Sequence, residues 1–409
     1  MSVVLQAHLT PSRKLYLVLA FVGCWLGGVF DGLDSSLMQL AMPIALPELT
    51  HLPIAKTSFY ASIITSTFLL GWSIGGMGIG WFGDRYGRVK AMILSVCLYS
   101  LATGLCGLAQ HWYDLALFRL LAGIGIGGEI VSIVAFLSEI WPNASRVQAV
   151  AFLITCCQVG QLLAGTISLF CTDWRTTFFI GALPALLVVF LRLLLRESPQ
   201  WEKAKQNTSH PPILLQPSNS HALWTGTLAF GSFLFVAWGA MGFIPMWLKE
   251  LPQSPAESAK LQLMIQSVGG LLGCVATSLL APTLGRRGCL ALGGAGLFTT
   301  LLVLFTKVPA FDPFWVYGIS LIMGFSHGLT QSTLYVYIPE LFPTLLRMQG
   351  SGFCLNAGRI LTAIAVLGMG SLVQHLGGFQ KTAFYFCFIA LLLIVVAFIS
   401  KQTKGHKLT

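Results

Sequence analysis

Continuous apolar runs of about 20 residues, separated by short polar segments, dominate this sequence. A helix of about this length crosses a hydrocarbon core of about 30 Å. Only 9% of the 409 residues are charged, whereas soluble domains carry about 25%, so a water-soluble fold would lack polar surface. Strands of a membrane β-barrel would be about ten residues long with alternating polarity, and these runs do not alternate. We therefore predict an all-α integral membrane protein.

The apolar runs predict twelve transmembrane helices in two groups of six. They lie at about 15–40, 58–83, 90–110, 114–138, 146–171 and 176–196, and after a polar stretch at about 223–247, 260–284, 288–307, 312–338, 347–374 and 378–401. The first run is too long for a removable signal peptide and no small-residue cleavage site follows it. We expect it to remain in the mature protein.

Lysine and arginine are distributed unevenly between the two ends of the predicted spans. If the N-terminus is cytoplasmic, 16 of the 24 lie on that side, six lie on the opposite side, and Arg119 and Arg359 lie within the membrane. Cytoplasmic loops of membrane proteins carry this excess, so we expect both termini in the cytoplasm. The net charge of +10 is expected to contact anionic lipid headgroups, and nothing indicates a nucleic-acid partner.

An internal repeat relates the two groups of spans. Six residues recur at a constant offset of 201, as Gly123, Gly127, Glu139, Pro142, Arg146 and Gln148, then Gly324, Gly328, Glu340, Pro343, Arg347 and Gln349. We predict a six-helix bundle at 1–196, a cytoplasmic linker loop at 197–222 and a second bundle at 223–409. Parallel repeats of six spans are typical of transporters, with the substrate site between the halves near mid-membrane. Duplications also occur in channels and membrane enzymes.

A charged loop separates the second and third predicted spans, with the sequence GWFGDRYGRVKAM. Gly83 and Gly87 can supply the positive φ of a tight turn, and Asp84, Arg85 and Arg88 provide its charges. The loop resembles the signature G-x-x-x-D-R-x-G-R of the major facilitator superfamily. That resemblance implies a fold of two pseudo-symmetric six-helix halves, and transport by alternating access.

The resemblance also implies a conformational gate on the cytoplasmic side, formed by the loop charges and by charged residues at corresponding helix ends. These residues are Glu139 and Arg146 in the first half and Glu340 and Arg347 in the second. The alternative is that they are ordinary charged helix termini.

Ionisable residues at membrane depth are costly, so each of them needs a partner or a wet cavity. Asp31 and Asp34 lie three residues apart on one helix face, and they would repel each other unless one is protonated or a cation is near. Arg119 and Gly123 match an R-x-x-x-G pattern that, by resemblance, accompanies proton coupling. Glu129 is not part of the repeat, because its counterpart is Thr330. We predict that Asp31, Asp34, Glu129 and Arg119 couple transport to protons, and structural hydrogen bonding is the alternative.

Arg359 is predicted near mid-membrane, nine residues after Gly350 and hence about 13 Å along the helix. A guanidinium there suits a bidentate contact with a substrate carboxylate. The alternative is a structural bond to Asp31, Asp34 or Glu129. Further predicted substrate contacts are the polar residues Asn356, Gln331, His327, Gln158 and Gln161.

The spans resemble those of the proton symporters for carboxylates: the sialic acid, aromatic acid, nicotinate and lactate-type branches of the superfamily. The shared stretches are GIGIGGE, SEIWPNASR, WRTTFFIGALPALLVVFLRLLLRESPQW and ELFPTLLRMQGSGFCLNAGRI. The Gly-Pro motif of drug–proton antiporters and the clustered Gln and Asn of sugar porters are missing from spans 5 and 7. The resemblance implies proton-coupled uptake of a small organic anion. Efflux of drugs or metabolites, sugar transport and a non-transporting sensor remain alternatives.

The remaining expectations concern cofactors, assembly and location. No HExxH, CxxC or phosphate-binding loop is present, so we expect neither an enzyme nor a metal or cofactor site, and the proton gradient would supply the energy. We expect a monomer in a bacterial inner membrane.

Overall fold

The computed structural model describes residues 11–53, 56–142, 145–171, 173–183, 195–199, 201–202, 214, 216–342 and 347–400. Within those ranges the chain forms helices and no strand. The helices are α1 (Pro11–Thr50), α2 (Ser58–Tyr86), α3 (Arg88–Cys106), α4 (Trp112–Ile140), α5 (Arg146–Leu153), α6 (Thr155–Phe170), α7 (Trp174–Gly181), α8 (Ser220–Phe235), α9 (Ile244–Glu250), α10 (Ser258–Lys307), α11 (Pro313–Glu340), α12 (Arg347–Leu376), α13 (Phe379–Cys387) and α14 (Ala390–Ile399). A π-helical turn at Val236–Ala240 and a 3₁₀ turn at Met241–Phe243 join α8 to α9.

The described part of the chain contains nine helical segments that are long and apolar enough to cross a membrane. One of them, α10, consists of two helices that meet at Gly285, where φ is 74° and ψ is 171°. This break lies between the two spans predicted at about 260–284 and 288–307. Residues 184–194 of the sixth predicted span and half of the predicted linker lie outside the described residues. The bundle boundaries at 1–196 and 223–409 stay a prediction.

Glycines bring the helices of each half into close contact. A Cβ at Gly123 or Gly127 on α4 would meet the backbone of Phe68 or Trp72 on α2. The repeat counterparts on α11 make the same kind of contact with α10, since Gly324 and Gly328 pack on the backbone of Gln266 and Gly270. Small residues at four-residue spacing allow this approach between membrane helices. The repeated glycines therefore serve packing.

The predicted first and second halves meet along several helix pairs, among them α2 with α12 and α6 with α10. The Ser66 hydroxyl on α2 donates to the Ala363 carbonyl oxygen on α12 at 2.9 Å, and α6 packs along α10, with Gly165 against Met264. Between these contacts the helices enclose a polar cavity.

Candidate substrate cavity and cytoplasmic gate

The cavity has an empty volume of about 840 Å³, including the part that opens to solvent. On α1 its lining runs from Asp31 to Gln39, so it extends toward the end of α1 that is predicted to face outward. The predicted residues that line it are Asp31, Gln161, His327, Gln331 and Arg359.

Arg359 is 1% exposed and lines this cavity. Its Nη1 donates to the Leu355 carbonyl oxygen and to Asn356 Oδ1, both at 3.1 Å. Its Nε is buried without a hydrogen-bond acceptor, and no carboxylate lies within 4.0 Å of the guanidinium among the residues that the structure describes. A buried cation without a carboxylate in contact is a candidate anion site.

Aromatic rings flank the Arg359 guanidinium on the cavity side. Its Cζ lies 4.3 Å from the ring centroid of Trp72 and 5.3 Å from that of Phe230, and both residues line the cavity. Rings at these distances attract the cation. The Trp72 Nε1 is also buried without an acceptor in the described part of the chain, so two N–H donors on adjacent side chains are available to a ligand.

Asp31 and Asp34 have separate environments despite lying three residues apart on α1. Asp31 lines the cavity and accepts a hydrogen bond from the Ser35 hydroxyl at 3.5 Å. Asp34 faces the interior of the first half, where Arg119 Nη1 and Nη2 donate to its two oxygens at 3.0 and 2.5 Å. The Thr103 hydroxyl donates to Asp34 Oδ1 at 2.5 Å. Asp34 and Arg119 are both fully buried and form a closed bidentate ion pair.

Glu129 is fully buried on α4 and does not line the cavity. Both of its carboxyl oxygens are without a hydrogen-bond donor among the described side chains and backbone. An ionised carboxylate in this position would be very costly, and a neutral carboxyl group costs much less.

Two more predicted contacts lie beside the cavity rather than in its lining. Gln158 on α6 donates from Nε2 to Gln331 Oε1 on α11 at 2.8 Å, and the same nitrogen is 3.5 Å from His327 Nδ1. This link joins the two predicted halves. Asn356 packs against Gly76 on α2 and holds Arg359 through its Oδ1, so it positions the guanidinium.

Several polar or aromatic lining residues were not predicted from the sequence, among them Trp72, Gln262 and Gln266. Gln262 Nε2 donates to Gln266 Oε1 at 2.8 Å and to the Ser320 hydroxyl at 3.2 Å. Two glutamines four residues apart share one face of a helix, and this spacing within an apolar span was the available signal.

The first half holds a network around Arg88, which contacts three other predicted gate residues, Gly83, Asp84 and Glu139. Its Nε and Nη2 contact Glu139 Oε1 at 3.2 and 3.1 Å, and Nη2 lies 3.1 Å from Asp84 Oδ1. Its Nη1 donates to the Gly83 carbonyl oxygen at 2.8 Å. Gly87 has a φ of 123° as expected, whereas Gly83 lies inside α2. The expectation of a positive φ at Gly83 is wrong, because the helix continues to Tyr86.

The second half repeats this arrangement. Arg286 donates from Nε and Nη2 to the two oxygens of Glu340 at 3.1 and 2.7 Å, and from Nη1 to the Ala281 carbonyl oxygen. The other predicted gate cations are Arg85, Arg146 and Arg347. Arg85 lies over the rings of Trp81 and Tyr86. Arg146 begins α5, and the side chain of Arg347 lies outside the described residues.

The start of the predicted linker docks on the first gate. Glu197 accepts hydrogen bonds from the backbone N–H groups of Val89 and Lys90 at 3.2 Å each, which caps the N-terminus of α3. Trp201 Nε1 donates to the Asp84 carbonyl oxygen at 2.8 Å. These residues were not predicted to belong to the gate.

Comparison with known proteins identifies the family. The sequence model of the Major Facilitator Superfamily matches residues 24–366. The chain belongs to this superfamily. It is therefore a membrane transporter and not an enzyme, and the predicted fold class is confirmed. Transporters of this kind work by alternating access between the two membrane faces.

Individual relatives align with nearly the whole length of the chain. It is 30% identical over 402 residues to the probable 4-methylmuconolactone transporter of Cupriavidus pinatubonensis, with 94% of this chain and 90% of that protein covered. It is 29% identical over 399 residues to the sialic acid transporter NanX of Escherichia coli, with 95% and 92% covered. The proton:xylose symporter XylE of E. coli has a TM-score of 0.78 at 18% identity, with 97% and 98% covered. This last likeness shows the fold alone.

Proposed function

We propose that the protein takes up a small organic anion together with protons, and that the anion's carboxylate binds Arg359. The observation that carries this proposal is the open guanidinium. It is buried in the cavity lining, its Nε has no acceptor, and no described carboxylate lies within 4.0 Å. A substrate carboxylate supplies the missing counter-charge, and Trp72 Nε1 supplies a second donor beside it.

The chemistry of the cavity distinguishes anion uptake from efflux of cationic drugs. A lipophilic cation entering this cavity would meet the charge of Arg359, which has no carboxylate within 4.0 Å among the described residues, and this charge disfavours it. Asp31 provides one carboxyl group in the lining, and it can be neutralised by a proton when the substrate is bound. The names of the relatives, transporters for sialic acid and for 4-methylmuconolactone, are in accord with an organic acid.

Proton exchange is assigned to Asp31 and Glu129, and not to the closed pair of Asp34 and Arg119. Asp31 is reached from the cavity. Glu129 is buried without a partner in the described chain, so in this conformation it holds a proton. Asp34 is held by Arg119 in a buried ion pair, so we assign it no proton exchange.

The proposed setting is the inner membrane of a bacterium, with both termini cytoplasmic and the protein a monomer. In this orientation the cavity extends toward the outside, as uptake requires. The Arg88 and Arg286 networks lie at the predicted cytoplasmic end, each within one predicted half.

Uptake into proteoliposomes tests the proposed function. Vesicles with and without an inward proton gradient are offered radiolabelled sialic, aromatic and unsaturated aliphatic carboxylates. We expect accumulation of one acid class that depends on the gradient. Protein-free liposomes and vesicles carrying Arg359→Gln measure passive entry of the protonated acids.

Two results would refute parts of the proposal. Equal accumulation with and without the gradient would refute proton coupling. Uptake of a lipophilic cation that no carboxylate competes with would refute anion transport.

A further inference from the structure

Gln161 differs from two other glutamines of the cavity lining in the state of its amide oxygen. Gln331 Oε1 accepts a hydrogen bond from Gln158 Nε2, and Gln266 Oε1 accepts one from Gln262 Nε2, both at 2.8 Å. Gln161 Oε1 is buried, and no donor in the described part of the chain reaches it. The cavity therefore contains an unfilled acceptor in addition to the unfilled donors at Arg359 and Trp72.

The chemistry of this acceptor limits the group that can fill it. A buried amide oxygen without a donor has lost its bond to water without replacement, so a ligand that donates to it is favoured. An ionised carboxylate only accepts hydrogen bonds and cannot donate to Gln161 Oε1. A hydroxyl both donates and accepts, so it suits the side-chain amide in either rotation.

The open acceptor and the open donors lie on different helices of the two predicted halves. Gln161 belongs to α6, whereas Arg359 belongs to α12, and both line the same cavity. The rings of Trp72 and Phe230 flank the guanidinium. A single ligand that satisfies all these groups has a carboxylate, a flat apolar segment and a separate hydroxyl.

We propose that Gln161 forms a second polar subsite that binds a hydroxyl group of the substrate, so that the transporter selects hydroxylated carboxylates over unsubstituted ones. This inference rests on the proposed function, because it requires the substrate carboxylate to lie at Arg359. Because one end of the ligand is held in each half, a hydroxylated acid also links α6 to α12 across the cavity.

Matched ligand pairs test the subsite. Binding to the purified protein is measured for 4-hydroxybenzoate against 4-methylbenzoate, and for 4-hydroxycinnamate against 4-methylcinnamate, which differ in the hydroxyl but not greatly in size. We expect the wild type to bind the hydroxylated member of at least one pair about tenfold more tightly, as a site with a buried unpaired acceptor does. In Gln161→Met this ratio falls to about 1.

Gln266→Met is the matched control, because the amide oxygen of Gln266 already has a partner, and it keeps the preference. Equal binding within both pairs by the wild type would overturn the subsite and leave the proposed function standing. So would a preference that survives Gln161→Met. Failure of the wild type to bind any carboxylate would refute the proposed function itself, and the subsite with it.

Discussion

Arg119 and Arg359 are both almost fully buried in helices that are long and apolar enough to cross a membrane, and their surroundings differ. Arg119 faces Asp34 through two hydrogen bonds and Asp34 also accepts from Thr103, so the charges are closed off within the first half. Arg359 has backbone and amide acceptors on one side and an open Nε beside the cavity. The same residue type thus forms an internal ion pair in one place, and in another it lines a cavity with no carboxylate within 4.0 Å among the described residues. The second environment is the one in which we propose that a ligand binds.

The largest loss of stability is expected when the buried ion pair of Arg119 and Asp34 is broken. Arg119→Met leaves the buried Asp34 carboxylate without its cation, and we expect the free energy of unfolding to fall by about 3–5 kcal/mol. Thermal unfolding in detergent micelles measures the change. The double variant Arg119→Met with Asp34→Leu recovers most of this loss, because no uncompensated charge remains. A single variant as stable as the wild type would show that the pair contributes nothing to the fold.

The second variant, Arg359→Lys, replaces the arginine that lines the cavity. Lysine keeps the charge but loses the flat fork and the Nε–H donor, so we expect affinity for the substrate acid to fall about 100-fold, or about 2.7 kcal/mol. The unfolding temperature should change far less than in Arg119→Met, since no ion pair is broken. Titration of the purified variant with the acid measures the loss. An unchanged affinity would remove Arg359 from the site.

Trp72→Phe separates the contribution of the aromatic ring to binding from that of the indole N–H group. Phenylalanine keeps an aromatic face beside Arg359 but removes the unpartnered Nε1 donor. We expect affinity for the carboxylate to fall about tenfold, the size of one hydrogen bond to a charged group. Affinity equal to that of the wild type would mean that Trp72 contributes only its ring.

The smallest loss of stability is expected at the predicted cytoplasmic gate. Glu139→Gln weakens a partly exposed pair, and Arg88 keeps Asp84 at 3.1 Å. We expect a loss of about 1 kcal/mol in unfolding free energy, measured as for Arg119→Met. A loss as large as that of the Arg119 variant would contradict the distinction between closed and partly exposed pairs.

The fold was largely predictable because its signals are local. Long apolar runs specify membrane helices, and the glycines repeated at offset 201 specify their close packing, as Gly123 and Gly324 show. The lining residues of the cavity could be predicted only where the residue type is unusual in an apolar span. Arg359 is unusual in an apolar span, so it was found. Trp72 and Gln266 are unremarkable in such a span, so they were missed.

The pairing of charges could not be predicted from the sequence. Asp31 and Asp34 share a helix face, yet only Asp34 reaches Arg119, because the rotation of α1 against α4 decides which carboxylate faces inward. The contacts of the predicted gate could likewise be predicted only in part. Arg88 and Glu139 were both selected, but the docking of Glu197 and Trp201 on the loop depends on where the chain returns after the sixth predicted span.

The account's central claim is that the open guanidinium of Arg359 binds the substrate's carboxylate. Its most direct test compares the tightest-binding acid with its own primary amide, in the wild type and in Arg359→Gln. We predict that the wild type prefers the acid about 100-fold, and that the variant binds the two ligands within about threefold of each other. The same preference for the acid in both proteins would contradict the account.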